Sequence, residues 1–136
     1  MVTAAAAHYF SRTMKTLLAA LLFAVPAFAA PLKVTPIVGS PQGFFVTSTL
    51  VTGDKEALVI DPAFTLADAH RVAAAVLDSG KNLTTIFVTH GHPDHYFGAV
   101  VLKAAFPQAK LVARPETIKD IEKSWKGKVA QWGPMY

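Results

Sequence analysis

Residues 90–95 read HGHPDH, which places three of the chain's five histidines and one aspartate within six residues. Imidazole nitrogens and carboxylate oxygens are ligands for divalent metals, and the spacing lets them converge. His90 and His92, at a strand end, can point to one side and reach a single ion. Gly91 keeps the turn between them free of side-chain bulk, and Pro93 biases His92 toward an extended backbone. Asp94 and His95 then begin a helix and project back toward the same space, where Asp94 also suits the positive helix end. Four ligand-type side chains exceed the three protein ligands of an ordinary catalytic zinc site. His90 and His92 suit one ion, and Asp94 and His95 suit a second about 3.5–4 Å away. A polar surface turn is the bland alternative, but crowded imidazoles buried without partners cost several kcal/mol. Metal binding is the chemistry this spacing favours.

The chain has no cysteine among its 136 residues. That excludes a disulfide framework, a thiolate nucleophile and a thiolate ligand, so any ion must be held by nitrogen and oxygen. The formal charge is +4, but Arg12 and Lys15 belong to an N-terminal leader, and the remainder carries no nucleic-acid footprint. Residues 14–30 read MKTLLAALLFAVPAFAA: a basic start, an apolar run from Leu17 to Val25, then Pro26 and the small-residue triplet Ala27-Phe28-Ala29. This is the layout of a signal peptide over residues 1–29, with Met14 as an alternative start and a periplasmic or secreted product over 30–136. The run is shorter than the ~20 residues a membrane-spanning helix needs, so no membrane association is expected after cleavage. The absence of a following cysteine excludes a lipoprotein, and the absence of a twin-arginine pair favours the general export route.

Around the histidines, the pattern predicts the elements that must position them. Leu32–Val38, Phe44–Thr52 and Glu56–Ile60 read as consecutive antiparallel strands separated by GSPQG and TGDK turn signals. The ALVI run is expected to be buried on both faces. Thr65 and Asp68 resemble a capping box. Leu66, Ala69, Ala73, Val76 and Leu77 then recur at helical spacing, and Gly80 is a natural stop. Thr85–Thr89 is a short strand leading into the histidines. A second helix is expected over Asp94–Phe106 and a strand over Ala109–Ala113. Arg114-Pro115-Glu116 opens a third helix with Ile118, Ile121 and Trp125 on one face, weakening after Gly127. The order β-β-β-α-β-α-β-α predicts an α/β fold, a sheet with helices on one face. It puts the cluster at the carboxyl end of a strand, where such folds keep their sites.

THGHPDH following an apolar strand resembles the HxHxDH motif of the metallo-β-lactamase superfamily. The early antiparallel strands, the strand ending in LVIDPAF and the helix after it agree, so the resemblance covers about residues 32–125. It implies an αββα sandwich, of which this chain supplies the first half as a mixed sheet with helices on one face. It also implies one or two Zn2+ ions and a small-molecule substrate. In that family the metals bring the pKa of a bound water to near 7, and the resulting hydroxide attacks an ester, thioester, lactone or lactam. By position in the motif, His90 and His92 would bind the first metal, and Asp94 and His95 the second. Asp94 would be the catalytic residue that orients the hydroxide and passes a proton to the leaving group. Asp61 matches an earlier family aspartate that supports the site from behind the ligands, although a strand-end aspartate before proline is also an ordinary turn residue. His95 separates the chain from members that use cysteine in the second site.

The family site is completed by a further histidine, a bridging aspartate and a last histidine. After His95 the chain has no histidine, and Glu116, Asp120 and Glu122 read as solvated helix surface. His70 reads as an exposed residue of the first helix. The chain is therefore expected to be the N-terminal portion of a longer hydrolase that binds zinc weakly and turns over little by itself. Phe44, Val46, Leu58 and Ile60 are expected to line an apolar sheet face without a partner. The alternative is a non-catalytic metal-binding domain that forms a homo-oligomer through that face, or a pseudogene product. Tyr96 and Phe97 are expected to pack in the core.

Overall fold

Alternation along each strand decides which face of the sheet is buried. The computed structural model describes residues 31–136, so the expected leader lies outside the described residues. β1 (Lys33–Val38), β2 (Thr47–Thr52), β3 (Glu56–Ile60), β4 (Asn82–Val88) and β5 (Lys110–Ala113) form one sheet in sequence order. β1, β2 and β3 pair antiparallel, whereas β3, β4 and β5 pair parallel. The helices α1 (Leu66–Ser79) and α2 (Ala99–Ala105) make the two crossovers, and α3 (Pro115–Trp132) follows β5. Right-handed crossovers proceeding in one direction across a sheet lay their helices on the same face. The core reflects this: Leu50, Val59, Leu83 and Ile86 from the sheet are buried with Val72 and Val76 of α1 and Leu102 of α2. Leu83 and Ile86 share a face because the register shifts beside Ala57, leaving Thr84 as an extra residue in β4.

Among the described residues the opposite face is open. Leu58 and Ile60 are only half-buried there, which corrects the expectation that β3 is covered on both sides. Val34 and Val38 are 62% and 63% exposed. Phe44 does not belong to this face. A 3-10 turn at Pro41–Gly43 and left-handed backbone at Phe44 and Phe45 (φ 58° and 56°) delay β2 until Thr47. The Phe44 ring packs instead against Phe64 at 5.5 Å and Trp132 at 5.9 Å.

The helices depart from expectation in instructive ways. Thr65 caps α1 by accepting the Asp68 N–H, and Gly80 ends it at φ 65°. The Asp68 carboxylate does more than close a box. It accepts from Thr65 Oγ1 at 2.9 Å, Ser40 N at 3.0 Å and Ser40 Oγ at 2.8 Å, tying the β1–β2 turn to α1. The buried stripe of α1 is Ala69, Val72, Ala73 and Val76, whereas Leu66 and Leu77 stay exposed. The second helix does not start at Asp94. Pro93–His95 is a separate 3-10 turn, and α2 begins at Ala99. Gly98 makes the difference: its N–H donates to Ala63 O at 3.0 Å, and a Cβ there would stand 2.0 Å from Pro62 O. That contact draws the loop after β3 against the turn after β4. α3 continues past Gly127 to Trp132, whose ring closes edge-on over the buried Phe64 at 6.4 Å.

Candidate metal centre

Asp61 ends β3 in left-handed backbone (φ 53°), with its N–H donating to Phe87 O at 2.8 Å. That bond extends the parallel ladder by one step and aims the carboxylate at the end of β4. There it is 6% exposed and fully engaged. Oδ1 accepts from Thr89 N at 2.8 Å. Oδ2 accepts from Thr89 Oγ1 at 2.7 Å and pairs with His95 Nδ1 at 2.9 Å. A carboxylate can only accept, so the Thr89 hydroxyl donates to it. The same hydroxyl is then free to accept from His90 Nδ1, 2.9 Å away. Both His90 and His95 are thus held through Nδ1, which leaves Nε2 as the nitrogen free to coordinate.

The electrostatics follow from these bonds. Burial works against the charge on Asp61, but the hydrogen bonds from His95 and Thr89 outweigh it and hold its carboxyl below the ordinary range. The bond to Asp61 raises His95 above an ordinary imidazole, against the opposing effect of burial. His90 is lowered, first by burial and then by the neighbouring charges of His95 and His92.

The structure gathers the motif's side chains unequally. The His90 ring lies 4.0 Å from that of His95 and 4.8 Å from that of His92, centroid to centroid. The two pairs expected from the sequence therefore meet in one cluster through His90. His92 is exposed and Asp94 half-buried. Asp61, His90 and His95 each offer a ligand atom within 4.8 Å of one another. Since both oxygens of Asp61 already accept hydrogen bonds, its geometry is that of a group orienting His95. The Asp94 Oδ2 lies 3.4 Å from His95 Nε2. Two ligands bound at about 2.0–2.1 Å to a tetrahedral ion stand roughly 3.3–3.4 Å apart, so this pair fits a shared metal. A donor set of imidazole and carboxylate without thiolate suits a divalent metal ion.

α3 contributes contacts that the sequence reading missed. Its expected apolar face is largely exposed, with Ile118 at 44% and Trp125 at 45%. The face turned inward carries Thr117, Ile121, Ser124 and Lys128, with Asp120 at its edge. The Lys128 amine donates to Gly91 O at 2.6 Å, and Thr117 Oγ1 donates to Thr89 O at 3.3 Å. Asp120 abuts Gly91 and is not simple solvated surface: a Cβ on Gly91 would stand 1.9 Å from its Oδ2. Polar residues at helical spacing signal a solvent face, and only the nearby bare carbonyls reverse that meaning.

The profile of the Metallo-beta-lactamase superfamily matches residues 41–131. Hydroxyacylglutathione hydrolase from Albidiferax ferrireducens is 45% identical over 56 residues, 41% of this chain and 20% of that protein. Its namesake from Stenotrophomonas maltophilia is 37% identical over 67 residues, 49% of this chain and 24% of that protein. A solved Thermotoga maritima structure described as a candidate metallo-beta-lactamase has 22% identity and a TM-score of 0.40, over 62% of this chain and 42% of that one. The chain spans about a fifth to a quarter of the length of these two curated relatives. The match across 41–131, with HGHPDH inside it, means that this chain belongs to the metallo-β-lactamase superfamily.

Proposed function

We propose that the chain carries the first ligands of a zinc-dependent hydrolase site. His90 and His92 hold one ion, Asp94 and His95 hold the second, and Asp61 fixes the orientation of His95. The observation that carries this reading is the Asp61–His95 bond at 2.9 Å, which leaves His95 Nε2 beside Asp94 Oδ2 at 3.4 Å. A carboxylate behind a histidine fixes its tautomer and raises its basicity as a ligand. When bound, zinc would supply Lewis acidity and bring the pKa of water toward 7. Asp94 is the residue placed to orient the attacking water and to hand a proton to the leaving group.

The relatives are named for a thioester substrate, so within the class of esters, thioesters, lactones and lactams we propose a thioester of a small hydroxy acid. Their matched segment is a fifth to a quarter of their length, and the proposal assigns the remaining ligands to the part of such proteins outside that segment. Export to the periplasm or beyond belongs to the same proposal, supported by the apolar run Leu17–Val25 and the triplet Ala27-Phe28-Ala29.

The test is hydrolysis by the product of the full open reading frame, loaded with zinc and assayed on hydroxyacylglutathione, a simple ester, a lactone and a β-lactam. The expected result is thioester cleavage that Asp94→Asn reduces at least 100-fold. Zinc binding with no turnover on any of the four would favour a non-catalytic metal-binding role.

A further inference from the structure

The metal loop is not held by its own strand alone. Gly91, between the first two histidines, is buried and approached by α3 more closely than any side chain would permit. Lys128 reaches its carbonyl across 37 residues of sequence with a 2.6 Å bond, from a side chain only 20% exposed. Asp120 lies 3.5 Å from the same amine. Thr117, on the same helix face, donates to the carbonyl of Thr89, whose hydroxyl and N–H hold Asp61. Lysine usually leaves its amine in water. Here the amine is instead ordered on a backbone carbonyl and flanked by a carboxylate. The carbonyls of residues 89 and 91 are the two rigid handles on either side of His90. Fixing both fixes the direction of the His90 side chain and the path of the chain into His92.

We propose that Lys128, oriented by Asp120 and seated on the Gly91 carbonyl, is a positioning residue that sets the metal affinity of the histidine loop from α3. This rests on the metal site described under the proposed function. The amine touches neither the metal ligands' side chains nor any reacting atom. It acts by removing alternative conformations of the loop, so the ion does not have to order the loop when it binds.

The test uses the full chain and zinc alone, with Lys128→Met, Lys128→Arg and Asp120→Asn. Zinc affinity is read by competition with a chromophoric chelator, and amide hydrogen exchange at Gly91, His92 and His95 is read on the metal-free protein. Lys128→Met is expected to speed exchange at those amides and to weaken zinc about 10-fold, the lower end of what supporting residues do. Lys128→Arg, which keeps the charge and the donors, is expected to restore most of both. If Lys128→Met fails to fold, Asp120→Asn carries the test, with a smaller change of the same sign in both readouts. Wild-type exchange and affinity in the variant under test would overturn the proposal. Should the wild-type chain bind no zinc, the reading of the metal site fails, and the exchange rates still decide whether α3 orders the loop.

Discussion

His95 Nδ1 and Asp61 Oδ2 meet at 2.9 Å although 34 residues separate them in sequence. The contact joins the end of β3 to the turn after β4, and it leaves Nε2 as the ring nitrogen of His95 that faces Asp94. Asp61→Asn replaces an acceptor of three hydrogen bonds with a group that can accept fewer. The metal-free chain should lose about 1–3 kcal/mol of stability, and zinc should bind about 10–100-fold more weakly. Urea unfolding and a zinc competition titration measure the two effects separately. An unchanged urea midpoint would mean that the contact contributes nothing to the fold.

The close approach at Gly98 makes a second prediction. A Cβ there meets Pro62 O at 2.0 Å and Ala69 Cβ at 2.8 Å, and neither neighbour is a flexible side-chain end. Gly98→Ala should destabilise by about 1–3 kcal/mol or more through overpacking. Gly127, inside α3, has no atom within 4 Å of its would-be Cβ. Gly127→Ala should stabilise by up to about 1 kcal/mol through helix propensity. Thermal melts of the two variants should therefore move in opposite directions.

Asp68 carries the acid sensitivity of the β1–β2 turn. Burial resists its ionisation, but hydrogen bonds from Ser40 and Thr65 and the charge of Arg71 prevail and hold it below the usual 3.8. A carboxyl lowered on folding contributes stability that is present above its unfolded pKa and is lost as pH falls through the folded one. Asp68→Asn should thus be less stable than wild type at pH 6 by a margin that narrows below about pH 3.8. Parallel urea curves from pH 7 to pH 2.5 check this, and a margin that widens toward acid would contradict it.

Leucines separate core from surface on α1 and α2. Leu102 is 0% exposed and Leu77 68%. Leu102→Ala should cost about 2–5 kcal/mol, and Leu77→Ala should stay within about 0.5 kcal/mol. Chemical denaturation of both variants measures the difference.

The order of elements and the location of the histidine turn were legible in the sequence because period, caps and turn residues agreed there. Thr65 and Gly80 bound α1 as their chemistry predicts. What was hidden depended on contacts made at long range. Nothing local announces that Phe44 leaves the sheet to meet Trp132, since that contact needs the far end of α3 in place. Leu77 fits a helical stripe by spacing yet faces solvent. The polar face of α3 reads as water-facing until the carbonyls of Thr89 and Gly91 are seen opposite Thr117 and Lys128. Likewise the HGHPDH spacing does not disclose that the His90 ring packs nearer His95 than His92.

The most direct test of the metal-site account is a Co2+ titration of the purified full chain, followed by visible absorption, alongside His90→Ala, His95→Ala and His70→Ala. His70 lies exposed on α1 and serves as the control. The wild-type chain should give a saturable cobalt spectrum that His90→Ala and His95→Ala abolish and His70→Ala leaves unchanged. A wild-type chain without saturable binding, or a His90→Ala, His95→Ala double variant that binds as the wild type does, would contradict it.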